Sequence, residues 1–188
     1  VLYAEGKKVM TAKDADHIKA SNISWVSHDG TGYVFPKGGN VVLDFDIQKG
    51  KWKDINHSMP NREEVYQVFA LSLDHGVKPV DASYAYIVVP EASDAKTLDA
   101  YCKKQHINIL SNTADIQAVE QTDLGVWQAV FHKPATLTAR NLTLSVDKPC
   151  IIMVRRHNDG SVTLHVADPA QKQEPINVEL KLKGSLNK

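Results

Sequence analysis

Cysteine is scarce in this 188-residue chain, which contains only Cys102 and Cys150. The two residues are far apart in sequence and lack the C-x-x-C spacing typical of metal and redox sites. Two separate buried thiols are the simplest interpretation. A disulfide stays open as the alternative, because sequence alone does not show whether two cysteines lie within bonding distance.

An excess of charge of either sign is also absent. Lys and Arg together number 22, as do Asp and Glu, so the formal net charge is zero. General binders of nucleic acid or of membrane surfaces need a surplus of Lys and Arg. No apolar run approaches the roughly 20 residues that a membrane-spanning helix requires. We therefore expect neither nucleic acid nor a membrane as a partner, and the neutral balance argues against strong binding of sulfated polyanions.

Familiar catalytic motifs are missing too, since the chain has no Ser-His-Asp order, Gly-rich phosphate loop or H-E-x-x-H sequence. Two His–Asp neighbours remain as candidates, His75 beside Asp74 and His28 beside Asp29. Histidine titrates near neutrality, so either pair could serve acid–base chemistry. Turns explain both pairs more simply, with Gly76 supplying a positive φ in the first.

Two carboxylates, Asp44 and Asp46, share the polar face of a predicted strand. They could begin a calcium site, but such sites need about six or more oxygen ligands. A solvated sheet face is the simpler interpretation, so we assign no metal ligand and no cofactor to this sequence.

Aromatic residues are few, and three tryptophans are candidates for sugar contact, because an aromatic face suits the apolar C–H face of a sugar. Trp25 and Trp127 adjoin predicted strands, where core packing is expected. Trp52 lies in a predicted loop, 52–61, and is the best candidate of the three. Asn56-His57-Ser58 in the same loop could border a cleft. Three N-x-S/T sequences, weak signals for glycosylation, begin at Asn22, Asn56 and Asn141.

Alternation of apolar and polar residues dominates the chain and predicts strands with one buried face. In 161–167, for example, Val162, Leu164 and Val166 should point inward. Gly, Asp and Pro turns separate the short strands, which favours an antiparallel sandwich. The predicted strands are 23–26, 33–35, 41–47, 65–73, 83–89, 107–110, 116–119, 126–131, 142–146, 150–154, 161–167 and 176–182.

The strand predicted at 83–89 is apolar on both faces, which is typical of a central strand in a sheet covered on both sides. Tyr84 and Tyr86 lie on one of these faces. We therefore expect both rings to be largely buried, with their hydroxyls bonded to protein groups. Pro90 ends the strand because it cannot donate a ladder hydrogen bond.

One helix is predicted, from Ser93 to Gln105. Ser93 is a natural N-cap, and Asp94 lies in the first turn, where the helix dipole favours a negative charge. Leu98 and Tyr101-Cys102 form an apolar stripe. We expect the helix to link two β units, with domains at 1–93 and 94–188.

Four stretches in order carry a resemblance to a known family. Asp74-His75-Gly76, a short link with Pro, and Ser-Tyr-Ala-Tyr-Ile-Val-Val-Pro at 83–90 form the first. The others are Trp25–Tyr33, Gly50–Asn56 and Asn112–Val119. Together they resemble the C-terminal part of polysaccharide lyase family 8, which contains the chondroitin AC, hyaluronate and xanthan lyases, with bacterial chondroitin AC lyases nearest.

The resemblance implies an all-β fold: the end of a large antiparallel β super-sandwich, a linking helix, and a smaller C-terminal antiparallel β-sandwich. It also implies a fragment, since family members are several times longer and this chain begins with Val1 rather than Met. If so, the first unit would expose a cut sheet edge and associate with itself or dissolve poorly.

Lyases of this family cleave acidic polysaccharides by β-elimination, using Tyr, His, Asn and Arg on an N-terminal α/α toroid. No motif of this chain matches that region, so the resemblance carries no catalytic or substrate-binding residue onto it. The chain would be a non-catalytic support for the toroid in a periplasmic or secreted bacterial lyase, with any calcium bound elsewhere. A free-standing carbohydrate-binding β-sandwich, marked by an exposed aromatic platform, and a purely structural domain pair stay open as alternatives.

Overall fold

Antiparallel strands account for nearly half of the chain. The computed structural model describes residues 2–4, 7–10, 16–92, 94–104, 106–172 and 174–183. Strands make up 49% of the structure and helices 8%, which confirms the predicted all-β class. No helix within these ranges is long and apolar enough to cross a membrane.

The chain divides into two compact units, residues 1–104 and 105–188. The helix predicted to link them therefore belongs to the first unit, whereas the sequence placed the division at 93/94. The first unit contains β1 (Leu2–Ala4), β2 (Lys7–Met10), β3 (Asp16–Ala20), β4 (Trp25–His28), β5 (Thr31–Val34), β6 (Val41–Gly50), α1 (Trp52–Ile55), β7 (Glu64–Leu73), β8 (Ile87–Val89) and α2 (Ala95–Lys103).

Two antiparallel sheets build the first unit, one in the order β2-β1-β4-β5-β8 and the other in the order β3-β6-β7. Strand β4 buries side chains on both faces of the first sheet. Val26 packs with Leu43 and Phe45 of β6 in the core between the two sheets. Its neighbour Trp25 points to the opposite face and packs with Leu98 of α2, as expected from the period of two along a strand.

Helix α2 begins later than the sequence predicted. Its N-cap is Asp94, whose Oδ1 accepts a hydrogen bond from the backbone N–H of Thr97 at 2.9 Å. The pKa of Asp94 is lowered mainly by its hydrogen bonds from the Thr97 hydroxyl and backbone N–H. The predicted cap Ser93 and the predicted last residue Gln105 lie outside the described residues.

The second unit is a smaller sandwich. Its strands are β9 (Ile107–Asn112), β10 (Ile116–Gln121), β11 (Val126–Phe131), β12 (Ala135–Thr138), β13 (Leu142–Val146), β14 (Cys150–Arg156), β15 (Val162–Ala167) and β16 (Val178–Leu182). Among these, β15-β14-β11-β10-β9 form one antiparallel sheet and β12-β13-β16 form another. Buried residues such as Trp127, Phe131 and Leu144 fill the core of the unit.

Several predicted strands have different extents or environments in the structure. Strands β1, β2, β3 and β12 were missed, and β8 covers only the end of the stretch predicted at 83–89. It is an edge strand of the described sheet rather than a central one. The predicted inward positions Val162, Leu164 and Val166 pair with β14 but remain partly exposed, because β15 is also an edge strand.

The two cysteines form no disulfide with each other. Cys150 is buried in the core of the second unit, as predicted. Cys102 is exposed on α2, so the prediction of two buried thiols is wrong for this residue. Cys102 shares the helix face of the buried Leu98, since residues four apart are neighbours, but it lies in the last turn of the nine-residue helix, where that face is no longer covered.

Contact between α2 and the first sheet depends on Gly32 of β5. A Cβ at this position would overlap Cδ2 of the fully buried Leu98 and lie 3.3 Å from Cβ of Ala92. Glycine therefore lets the helix approach the strand closely.

We expect Leu98→Ala to lower the free energy of unfolding by about 2–5 kcal/mol and Gly32→Ala to lower it by about 1–3 kcal/mol. In the double variant the new methyl group fills part of the vacated space, so its cost should be smaller than the sum of the two single costs. Chemical denaturation of the three variants and the parent chain tests this coupling. Strict additivity would contradict the close contact between Gly32 and Leu98.

Candidate functional site

The connection from β7 to β8 borders a groove of about 480 Å³ in the first unit, called here the tyrosine groove. Strand β7 contributes alternate apolar residues to one wall, and the connection contributes aromatic residues to the other. The groove is lined by Tyr33, Phe69, Leu71, Leu73, His75, Tyr84 and Tyr86.

The two tyrosines of the connection are exposed, so the prediction that they are largely buried is wrong. Tyr84 is 62% exposed and Tyr86 is 52% exposed. Their rings stack with centroids 6.4 Å apart and planes 16° apart. The reason is that β8 begins only at Ile87 and lies at the edge of the described sheet, so no described strand covers the tyrosines.

The Asp74-His75 pair is organised as a turn. Oδ1 of Asp74 accepts a hydrogen bond from the N–H of Gly76 at 2.8 Å, and Gly76 has a φ of +73°. This hydrogen bond is the main cause of the lowered pKa of Asp74, followed by the positive charge of Lys19, whose Nζ lies 3.6 Å away. His75 instead faces the ring of Tyr84 at 6.2 Å. The carboxylate is thus bonded to the turn and to Lys19, which supports the interpretation as a turn.

The His28-Asp29 pair also lies in a turn. Asp29 and Gly30 both have positive φ angles, 47° and 76°, as a tight hairpin between β4 and β5 requires. The imidazole of His28 stacks on Phe69 with centroids 4.4 Å apart. Burial lowers the pKa of His28, which Asp29 raises to a smaller extent. His28 is therefore part of the packing between the sheets.

The two carboxylates of β6 have separate partners. Asp44 pairs with His17 of β3 through its Oδ1, and Oδ1 of Asp46 accepts a hydrogen bond from the next backbone N–H, that of Ile47, at 2.7 Å. Within the described residues, no three His, Cys, Asp or Glu side chains come close enough together to hold a metal ion.

The tyrosine groove continues the hydrophobic core. Tyr33, Phe69, Leu71 and Leu73 all pack against the buried cluster between the two sheets. The groove is therefore the solvent-exposed edge of the core between the two sheets, and it lies between the edge strands β7 and β8. Its apolar lining follows from sheet packing, so it does not by itself indicate a ligand.

A second groove, of about 230 Å³, lies at the far end of the β6–β7 hairpin and is called here the hairpin groove. Trp52 is 54% exposed and Tyr66 is 58% exposed. The groove is lined by Gln48, Lys49, Gly50, Lys51, Trp52, Ile55, Glu64, Tyr66 and Val68.

Only Trp52 of the three tryptophans remains a candidate for sugar contact. Trp25 and Trp127 are buried in the cores of the two units, and Nε1 of Trp25 donates to Oδ1 of Asp99 at 2.9 Å. Trp52 begins the short helix α1, a stretch that the sequence predicted as a loop. Asn56 ends this helix, and its Oδ1 accepts a hydrogen bond from the N–H of Ser58 at 3.1 Å, so Asn56-His57-Ser58 forms a turn outside the groove lining.

The sequence did not predict Lys49, Lys51 and Tyr66 as neighbours of Trp52. The sequence signal that could have indicated this groove lies in β7. Tyr66 and Val68 are on the strand face opposite to the inward residues Phe69, Leu71 and Leu73, so β7 has a second apolar face. The three sequons remain predictions, and their first residues Asn22, Asn56 and Asn141 are all exposed.

Two family models match the chain. The model of the super-sandwich domain of polysaccharide lyase family 8 matches residues 1–102, and that of the family's C-terminal β-sandwich domain matches residues 108–177.

Individual lyases are also similar to this chain in sequence or structure. A chondroitinase-AC from Pedobacter heparinus is 36% identical over 156 residues, 83% of this chain and 22% of that protein. A hyaluronate lyase from Thermasporomyces composti is 39% identical over 158 residues, 84% of this chain and 20% of that protein. A solved structure of a chondroitinase AC lyase has a TM-score of 0.80 at 28% identity and covers 96% of this chain and 28% of that one. The chain thus spans about a fifth of the length of the curated relatives it matches.

The packing of His28 predicts a pH-dependent stability. A pKa lower in the folded than in the unfolded chain means that the unfolded chain binds more protons, so stability falls as the pH drops below the ordinary value of 6.5. His28→Phe keeps a ring against Phe69 and removes the titration. We expect the parent chain to lose more stability than His28→Phe between about pH 7.5 and about pH 5.5, measured by chemical denaturation. Equal losses would show that His28 does not titrate differently on folding.

Proposed function

Because the chain belongs to polysaccharide lyase family 8, we propose that it is part of a protein that cleaves uronate-containing polysaccharides by β-elimination. The observation that carries the proposal is the match of both units to β domains of this one family, in the family's order. The relatives named as chondroitinase-AC and hyaluronate lyase favour a substrate of the chondroitin or hyaluronan type.

The proposed reaction needs groups of defined chemistry. A base removes the proton on C5 of the uronate, the electron pair forms the C4–C5 double bond, and the C4–O bond breaks. The leaving oxygen takes up a proton and becomes a hydroxyl of the neighbouring sugar. The uronate carboxylate must be neutralised by hydrogen-bond donors or cations for the C5 proton to be acidic enough.

The role proposed for this chain is support of the catalytic domain, an N-terminal α/α toroid of the same protein. The His–Asp neighbours support this assignment, since Asp74 is engaged in a turn and His28 in sheet packing. We therefore propose no catalytic residue in the chain. A periplasmic or secreted location fits a polymeric substrate outside the cytoplasm.

The runner-up function is that of a carbohydrate-binding β-sandwich. The observation in its favour is the exposure of Trp52 and Tyr66 in one groove, since exposed aromatic faces suit sugar rings. Binding and support of a catalytic domain are compatible, so this function can coexist with the first.

Lyase assays test the proposed role. The 188-residue chain, a longer protein that includes the upstream region, and the Pedobacter heparinus chondroitinase-AC as positive control are incubated with chondroitin and with hyaluronan. Absorbance in the ultraviolet follows the unsaturated uronate that β-elimination produces. We expect product from the longer protein and the positive control, and none from the chain alone.

Turnover by the chain alone, abolished by His75→Ala or His57→Ala, would place the active site in the β region and contradict the proposed role. No turnover by the longer protein on any uronate polysaccharide would contradict the proposed activity. Both histidines are exposed, so these substitutions should leave the fold intact.

A further inference from the structure

The hairpin groove lies outside the hydrophobic core of the first unit. Direct pairing of Gln48 with Tyr66 and of Asp46 with Val68 puts these residues on one face of the hairpin. The opposite face carries Phe45 and Phe69, which pack into the core. The apolar residues of this groove therefore have no part in joining the two sheets, in contrast to those of the tyrosine groove.

Large aromatic and aliphatic side chains are nevertheless concentrated here. Trp52 and Tyr66 are more than half exposed, and Ile55 is 81% exposed. Contiguous exposed apolar surface that core packing does not require typically marks an interaction site. Tyrosine and tryptophan combine an apolar ring with a polar edge, which suits a ligand with both kinds of surface.

Cationic side chains border the same groove. Lys51 lines it, and no described carboxylate forms an ion pair with this residue. Lys49 also borders the groove, but it pairs with Val65 on the hairpin face that carries Phe45 and Phe69. Glu64 is the only carboxylate in the lining. Its Oε1 accepts hydrogen bonds from Nη2 of Arg62 at 2.7 Å and from Nε at 2.8 Å, which offsets its charge. The lining is therefore cationic although the whole chain is neutral.

The size of the groove limits what can occupy it. Its volume of about 230 Å³ is below the roughly 300–1,000 Å³ of pockets that enclose a drug-sized ligand. A single ring of an extended polymer fits this space better than a whole folded ligand. An acidic sugar offers both an apolar C–H face for the aromatic rings and an anionic group for Lys51.

We propose that the hairpin groove binds an acidic sugar unit of a uronate-containing polysaccharide. Trp52 and Tyr66 contact the ring face, and Lys51 binds the carboxylate or sulfate. The proposal rests on the proposed function for the identity of the polymer. It assigns the β region a polysaccharide contact of its own.

Titration calorimetry with the 188-residue chain tests the proposal. The probes are hexasaccharides of hyaluronan and of chondroitin sulfate, with maltohexaose as an uncharged control. We expect both acidic hexasaccharides to bind, with affinity that falls as salt rises because salt screens the charge of Lys51. Maltohexaose should bind more weakly. Trp52→Ala should weaken binding roughly tenfold, while Trp52→Phe should retain most of it.

Matched variants separate this groove from the rest of the surface. Lys51→Ala should weaken binding and reduce its salt dependence, whereas Lys37→Ala, an exposed lysine at the opposite end of β6, should change neither. Tyr84→Ala in the tyrosine groove should also leave affinity unchanged. The altered residues are exposed, and thermal unfolding of each variant checks that the fold is kept.

Four results would overturn the proposal: no binding of either acidic hexasaccharide, binding unaffected by Trp52→Ala and Lys51→Ala, loss of binding in Tyr84→Ala only, or equal binding of maltohexaose. Self-association of the chain that Trp52→Ala abolishes would identify a second copy as the occupant and overturn it too. Binding by the chain together with an inactive longer protein would contradict the proposed lyase activity but not the groove.

Discussion

The antiparallel ladder between β6 and β7 is the constraint on which the first unit depends. It pairs ten residues of each strand, from Val41 with Leu73 to Gly50 with Glu64, without a bulge. Because side chains alternate along a strand, a shift of one residue would exchange its two faces. In the observed register Leu43 and Phe69 are directed into the core, and Tyr66 is directed to the outer face, beside Trp52. The same ladder therefore determines the core of the unit and the lining of the hairpin groove.

Strands were predicted correctly where one of their faces packs against another sheet of the same unit. Strand β11 has the predicted bounds, and β7 differs by one residue, since their alternation reflects burial on one side. The prediction of a central strand at 83–89 is wrong, because the sequence pattern shows that the residues are apolar but does not show whether other strands cover them. Exposure of Tyr84 and Tyr86 depends on their position at a sheet edge, which is a tertiary property.

The hairpin groove was only partly predictable for a similar reason. Trp52 was recognisable from the sequence as an aromatic residue outside a strand. Helix α1 was not, because four residues are too few for a propensity signal. Trp52 lies near Tyr66 because Gly50 pairs with Glu64 at the end of the β6–β7 hairpin, which places the residues after β6 next to the start of β7. The neutral net charge likewise did not indicate a cationic lining, because it sums over the whole chain.

We propose that this β region contacts an acidic polysaccharide through the hairpin groove and contributes no residue to the chemistry of cleavage. Intermolecular nuclear Overhauser effects between the chain and a bound hyaluronan hexasaccharide test this most directly. We expect cross-peaks from the indole protons of Trp52 and the ring protons of Tyr66 to sugar C–H protons. Cross-peaks confined to Tyr84 and Tyr86, with none to Trp52, would contradict it.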